Sequence, residues 1–192
     1  MNRISKLSRM ASAFLLSFLV LFSVMPAGHA MSYTAGLPVL ITSAGQCPDA
    51  FVVKVLFDRS KIAAEYDEMA EVEKLKGMKT LILVLGGSAK GLGAAGIDED
   101  EELARIKRII DKAKELKIST VGIHIGGEAR RGPLSTKFIE ASAPRCDYLI
   151  VKEDGNADGY FTKLGTTKNI PVTVIKDSNE IGGIFKAVFG IK

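Results

Sequence analysis

Thr80-Leu-Ile-Leu-Val-Leu85 constrains this chain more than any other stretch. Five consecutive apolar residues leave no face for water, and the run is too short to span a membrane. Bounded by Lys79 and by Gly86-Gly87, it reads as a strand buried on both faces. Such strands belong to parallel sheets covered by helices on both sides. Further strand-like runs occupy 38–42, 119–125, 148–152 and 171–175, and helical spacing occupies 48–63, 98–116, 135–143, 158–165 and 179–189. Five strands alternating with five helices predict a three-layer α/β sandwich with a five-stranded parallel sheet, Rossmann-like or flavodoxin-like.

Patterning also suggests a strand order. The first, second and fourth runs are continuously apolar, as central strands should be. The third alternates, with Val121, Ile123 and Ile125 against Thr120, Gly122 and His124, and the fifth carries Thr173. Placing the third and fifth at the edges favours order 3-2-1-4-5 over 2-1-3-4-5.

Residues 1–30 stand apart. Arg3, Lys6 and Arg9 precede an apolar run, and Ala27-Gly28-His29-Ala30 supplies small residues at an exit site, the pattern of a secretory signal peptide. The run from 10 to 25 falls short of the roughly 20 residues a spanning helix needs. The expectation is an exported protein, periplasmic or extracellular, with a single α/β domain over 31–192 and no stable membrane insertion after cleavage. The formal charge of +4 includes three cations of that segment, which leaves +1 on the remainder and gives no electrostatic footprint for nucleic acid. Cys47 follows the first strand and Cys146 precedes the fourth. They fall at opposite sheet edges about 15 Å apart for strands of five residues, beyond the roughly 7 Å a disulfide tolerates, so no bridge is expected.

Open α/β sheets bind ligands outside the carboxyl ends of their strands. Four polar, glycine-rich loops collect there: 42–46, 86–96, 126–132 and 153–159. The second contains Gly91-Leu-Gly-Ala-Ala-Gly96, a literal G-x-G-x-x-G. It starts late, follows the second strand, and leads into Asp98-Glu-Asp-Glu-Glu102, whose carboxylates would repel a pyrophosphate, so no dinucleotide is expected. Asp98 with Glu101 reads as a helix capping box. In the fourth loop Asp154, Asn156 and Asp158 match the first half of a calcium loop, but Gly165 stands where the bidentate acid belongs; calcium stays open beside helix capping by Asp158. His124 has no suitably spaced Cys or His partner for zinc, and no metal or cofactor is expected.

GLPVLITSAGQ, KTLILVLGGSAKGLGAAGID, HIGGEARRG and DYLIVKEDGNADGYF together resemble a family of small exported bacterial proteins classed as a domain of unknown function. The resemblance covers nearly all of 31–192. It implies export and a single domain, and supplies no activity, cofactor or catalytic residue. It also implies serine where this chain has Cys47.

Two functions compete. One is an extracytoplasmic binding module for a small anionic ligand, a carboxylate or phosphate, serving a transporter or sensor. Arg130 and Arg131 would be its guanidinium forks, Lys90 a point charge, and the amides near Gly45, Gly87 and Gly127 orienting donors, with Ser43, Gln46, Ser88 and His124 lining the site. The other is an exported hydrolase or transferase with His124 as base and Ser43, Ser88 or Cys47 as nucleophile. No complete catalytic constellation can be drawn from the sequence, which favours binding.

Overall fold

The computed structural model describes residues 33–191, so the predicted signal peptide lies outside the described residues. Six strands form one all-parallel sheet: β1 (Val39–Ala44), β2 (Ala64–Tyr66), β3 (Thr80–Leu85), β4 (Ser119–His124), β5 (Tyr148–Lys152) and β6 (Val172–Ile175). Their order is β2-β1-β3-β4-β5-β6. The helices are α1 (Asp49–Arg59), α2 (Ala89–Ala95), α3 (Glu99–Glu115), α4 (Pro133–Ser142), α5 (Tyr160–Lys168) and α6 (Ile181–Val188).

The expected order 3-2-1-4-5 is overturned. The five runs recognised in the sequence lie side by side in chain order, and the additional strand β2 borders β1. Counting that strand turns the topology into the flavodoxin-like 2-1-3-4-5 pattern with one more strand at the far edge. The alternation in β4 does not mark an edge, because Thr120, Gly122 and His124 are all buried. A Cβ on Gly122 would come within 2.7 Å of Leu149 and 2.9 Å of Cys146 Sγ, so the missing side chain is space taken by neighbours. The segment expected to be helical to residue 63 stops at Arg59 and returns as β2.

Both faces of the sheet are covered. Ile41, Val84, Ile123 and Ile150 meet Ala50, Val53 and Phe57 of α1 and Ile181, Phe185 and Val188 of α6. Leu40, Leu83 and Leu149 meet Ile106, Ile109 and Ile110 of α3, with Phe138 of α4 and Phe161 of α5. The chain therefore leaves β1 toward one face and β3 toward the other. These two strands are neighbours, so the topological switch point, where such sheets open a crevice, falls between their carboxyl ends.

Candidate functional site

The loop after β1 is held by a buried charge network. Glu102 and Arg105, one turn apart on α3, are 0% and 2% exposed. Arg105 Nε donates to Glu102 Oε2 at 2.7 Å and Nη2 to Oε1 at 2.8 Å, a bidentate pair. The remaining guanidinium donors reach the Ser43 carbonyl at 2.5 Å and the Ala70 carbonyl at 2.8 Å. Glu102 Oε1 also accepts from the Gly45 amide at 2.9 Å and from Gln46 Nε2 at 3.1 Å. Gln46 thereby sits in the left-handed region at φ 55°, an expensive conformation for a side-chain-bearing residue, and pairs with Gly87 across the switch point.

Beside this network lies a cleft of about 400 Å³ lined by residues of the loops after β1, β2 and β3, including Gln46, Cys47, Glu68, Ser88, Lys90 and Gly91. That volume lies within the roughly 300–1,000 Å³ of small-molecule sites. Lys90 is exposed and has no acidic partner among the described residues. Ser88 Oγ accepts from the Gly91 amide at 3.0 Å, which leaves its hydroxyl proton available to donate. Glu68 is the carboxylate on the lining; its carbonyl accepts from Gln46 Nε2 at 3.2 Å.

The G-x-G-x-x-G letters have a packing explanation. A Cβ on Gly91 would lie 1.9 Å from the Gln46 carbonyl oxygen, so only glycine lets α2 close on the β1 loop. Gly96 ends α2 at φ 69°. Asp98 and Glu101 do form the reciprocal capping box of α3.

The residues proposed from the sequence divide into two groups. Gln46, Ser88 and Lys90 meet at the cleft, with Gly45 and Ser43 just behind it. The Gly45 amide is committed to Glu102, the Gly87 amide to Ser135 Oγ at 3.0 Å, and Ser43 Oγ to the Cys47 amide at 3.0 Å. His124, Gly127 and Arg131 belong to the junction of the loops after β4 and β5. Arg131 Nη2 donates to Asp158 Oδ2 at 2.6 Å, and its guanidinium lies 5.3 Å from the Tyr160 ring and 5.1 Å from the Phe161 ring. Arg130 lies between the groups, with Nε 3.8 Å from Asp49 Oδ2.

His124 is fully buried. It stacks on Phe161 at 5.4 Å, and Nδ1 donates to the Leu85 carbonyl at 2.9 Å. Burial lowers its pKa, so the ring stays neutral. A Cβ on Gly155 would lie 2.7 Å from Nε2 and one on Gly127 2.5 Å from Asp154, so both glycines seat the two loops against each other. No hydrogen bond joins His124 to Ser43, Ser88 or Cys47 among the described residues. The Cys47 thiol, near the start of α1, is not activated there: burial pushes it up to about 12. Cys146 is likewise buried and pushed up to about 12, and both thiols are free.

Three residues of the acidic loop after β5 hold partners. Asp154 accepts from Lys152, Asn156 Oδ1 from the Phe161 amide at 2.9 Å, and Asp158 from Arg131 and from the Tyr160 amide at 3.1 Å. The helix cap expected of Asp158 falls instead on Gly159, in the left-handed region, and Asp158 and Asn156 reach the Tyr160 and Phe161 amides from before it.

Known proteins add a family. A family model described as a domain of unknown function, DUF6305, matches residues 36–189. The chain belongs to the DUF6305 family. No curated protein matches it in sequence. Among solved structures it is similar to a psychrotrophic esterase, EstA, from Pseudoalteromonas sp., inhibited by monoethylphosphonate, at 11% identity over 71% of this chain and 76% of that one. The TM-score is 0.32, too loose a likeness to bear on activity. The sequence signal that reaches the site is the cluster of Gly45, Gln46, Ser88 and Lys90 at two adjacent strand ends. Glu102 and Arg105 were missed, because an acid and a base three apart on a helix usually mark a solvated surface pair.

Proposed function

We propose that this DUF6305 protein is an extracytoplasmic binding module for a small anionic molecule, a carboxylate or a phosphate, held in the cleft at the β1/β3 switch point. One observation carries the reading: Lys90, without an acidic partner among the described residues, lines a ligand-sized cleft where open α/β sheets bind ligands. The Glu102–Arg105 network supports it. A buried ion pair and a left-handed glutamine are costly devices for a mere turn, and they hold the cleft's floor in one geometry before any ligand arrives. Lys90 supplies the charge and Ser88 a hydroxyl donor. Arg131, already matched by Asp158, serves the neighbouring loop junction instead.

Glu68 sharpens the test. A simple anion is repelled by it, so Glu68→Gln should tighten binding, while Lys90→Ala should weaken it by about tenfold or more, as expected for a hydrogen bond to a charged group. A thermal-shift screen of the purified protein against dicarboxylates, phosphorylated metabolites and inorganic phosphate identifies the best ligand, and calorimetry measures both variants. No shift with any anion, or equal affinity in Lys90→Ala, contradicts the reading.

A further inference from the structure

A second cavity, at the opposite edge of the sheet, has a different chemistry. It measures about 510 Å³ and lies among the 3-10 turn Val72–Leu75, the approach to β3, and the carboxyl end of α3. Leu75 and Ile118 are buried beneath it, and the partly buried Met78 and exposed Leu116 supply its accessible apolar floor. Leu116, the residue that ends α3, remains 45% exposed at its lip although large and apolar. Lys76, Lys79 and Lys112 line the same cavity. Of these only Lys112 has an acidic partner among the described residues, Glu115 at 2.7 Å, and Glu73 is the one carboxylate on the lining.

An apolar floor beneath a cationic rim selects for a ligand with both characters. Lysine stems cover apolar surface while their ammonium groups stay in water, so the rim can meet a charged head without leaving the floor exposed. A small polar anion would leave the floor unfilled, and an uncharged hydrocarbon would leave Lys76 and Lys79 unmatched. We propose that this amino-edge cavity binds a single-chain amphiphilic carboxylate of the fatty-acid class, its chain against the accessible faces of Met78 and Leu116 and its carboxylate against Lys76 and Lys79. The volume is ordinary for a small-molecule site, which lies at roughly 300–1,000 Å³. The site is separate from the switch-point cleft and does not depend on it.

The test is calorimetric titration of the purified protein with decanoate below its micelle concentration. Saturable binding at one site is expected. Decanol, which lacks the charge, and acetate, which lacks the chain, should each bind about tenfold weaker or worse. The exposed-residue variants Lys76→Glu/Lys79→Glu and Leu116→Asp should each weaken decanoate by about tenfold, with an unchanged melting temperature reporting an intact fold. Saturating phosphate should leave decanoate affinity unaltered; competition would put decanoate in the switch-point cleft and overturn the proposal. Equal affinity for decanol, or for decanoate in both variants, would also overturn it. So would binding to phosphatidylglycerol vesicles without binding to monomeric decanoate, which would mark a membrane-surface patch.

Discussion

The loops after β1 and β4 leave the same edge of the same sheet, and both combine glycine with polar residues. They are held in opposite ways. Around the β1 loop, the Gly45 amide, Gln46 Nε2 and the Arg105 guanidinium all meet partners, most of them through Glu102. Around the β4 loop, three buried atoms have no hydrogen-bond partner among the described residues: Asp49 Oδ2, His124 Nε2 and Arg131 Nη1. Charge is matched there by Asp49 and Asp158, and aromatic faces of Tyr160 and Phe161 support the guanidinium. A fully satisfied buried network fixes one geometry and suits the floor of a binding cleft. The β4 junction rests instead on ring stacking, one close ion pair, Arg131 with Asp158, and one long one, Arg130 with Asp49, and so is fixed less completely.

This contrast can be broken at either loop, and the β1 loop should give the larger effect. Arg105→Met strands the Glu102 carboxylate in the interior and should destabilise the protein by about 3–5 kcal/mol in urea unfolding. Replacing both partners with apolar residues should recover only part of that loss, because the Gly45 amide and the Ser43 and Ala70 carbonyls lose their partners, and should weaken anion binding. Full loss of stability in the double variant would mean that the orphaned groups of the β1 loop matter more than the stranded charge.

At the other loop Gly155→Ala should cost about 1–3 kcal/mol through overpacking against the His124 ring. Adding His124→Ala should relieve part of it. Additive losses in the double-mutant cycle would show that the ring and the glycine do not press on each other.

His124 sharpens the comparison through pH. Burial lowers its folded-state pKa beneath the unfolded value near 6.5, so the unfolded chain takes up the proton first on acidification. The stabilisation is complete above pH 6.5 and is lost as pH falls toward the folded pKa, by at most about 1.4 kcal/mol per pH unit. His124→Asn, which can still donate to the Leu85 carbonyl, should flatten the decline between pH 7.5 and 5.5. An unchanged slope would assign the decline to carboxylates.

Arg131→Ala should cost about 1–2 kcal/mol of stability, less from the ion pair, since Asp158 is largely solvated, than from the lost packing of the guanidinium on Tyr160 and Phe161. Affinity for the anion should be unaltered. A large loss of affinity would return Arg131 to the binding site.

Much of this was legible in the sequence. A strand buried on both faces must be continuously apolar, which is why β1, β3 and β5 stand out. Ala64-Glu-Tyr66 did not, because a three-residue edge strand buries too little to leave a pattern and follows a helix without a proline or glycine stop. The order failed at β4 because polarity was read as exposure, whereas Thr120 and His124 are buried, the latter against Phe161 and the loop after β5. At the site, Ser88, Lys90 and Gln46 were visible as loop residues at adjacent strand ends. The arginines drew attention by their charge, but their partners Asp49 and Asp158 lie far along the chain, and sequence spacing cannot show that such charges are already matched.

On this reading the satisfied loop, not the arginine-bearing one, faces the ligand. An amide-resolved NMR titration with the best anion from the screen tests it directly. Saturable shifts are expected at Gln46, Cys47, Ser88, Lys90 and Gly91, with 127–131 and 154–160 nearly still. Shifts centred on Gly127, Arg130 and Arg131, with the switch-point amides unmoved, would contradict it.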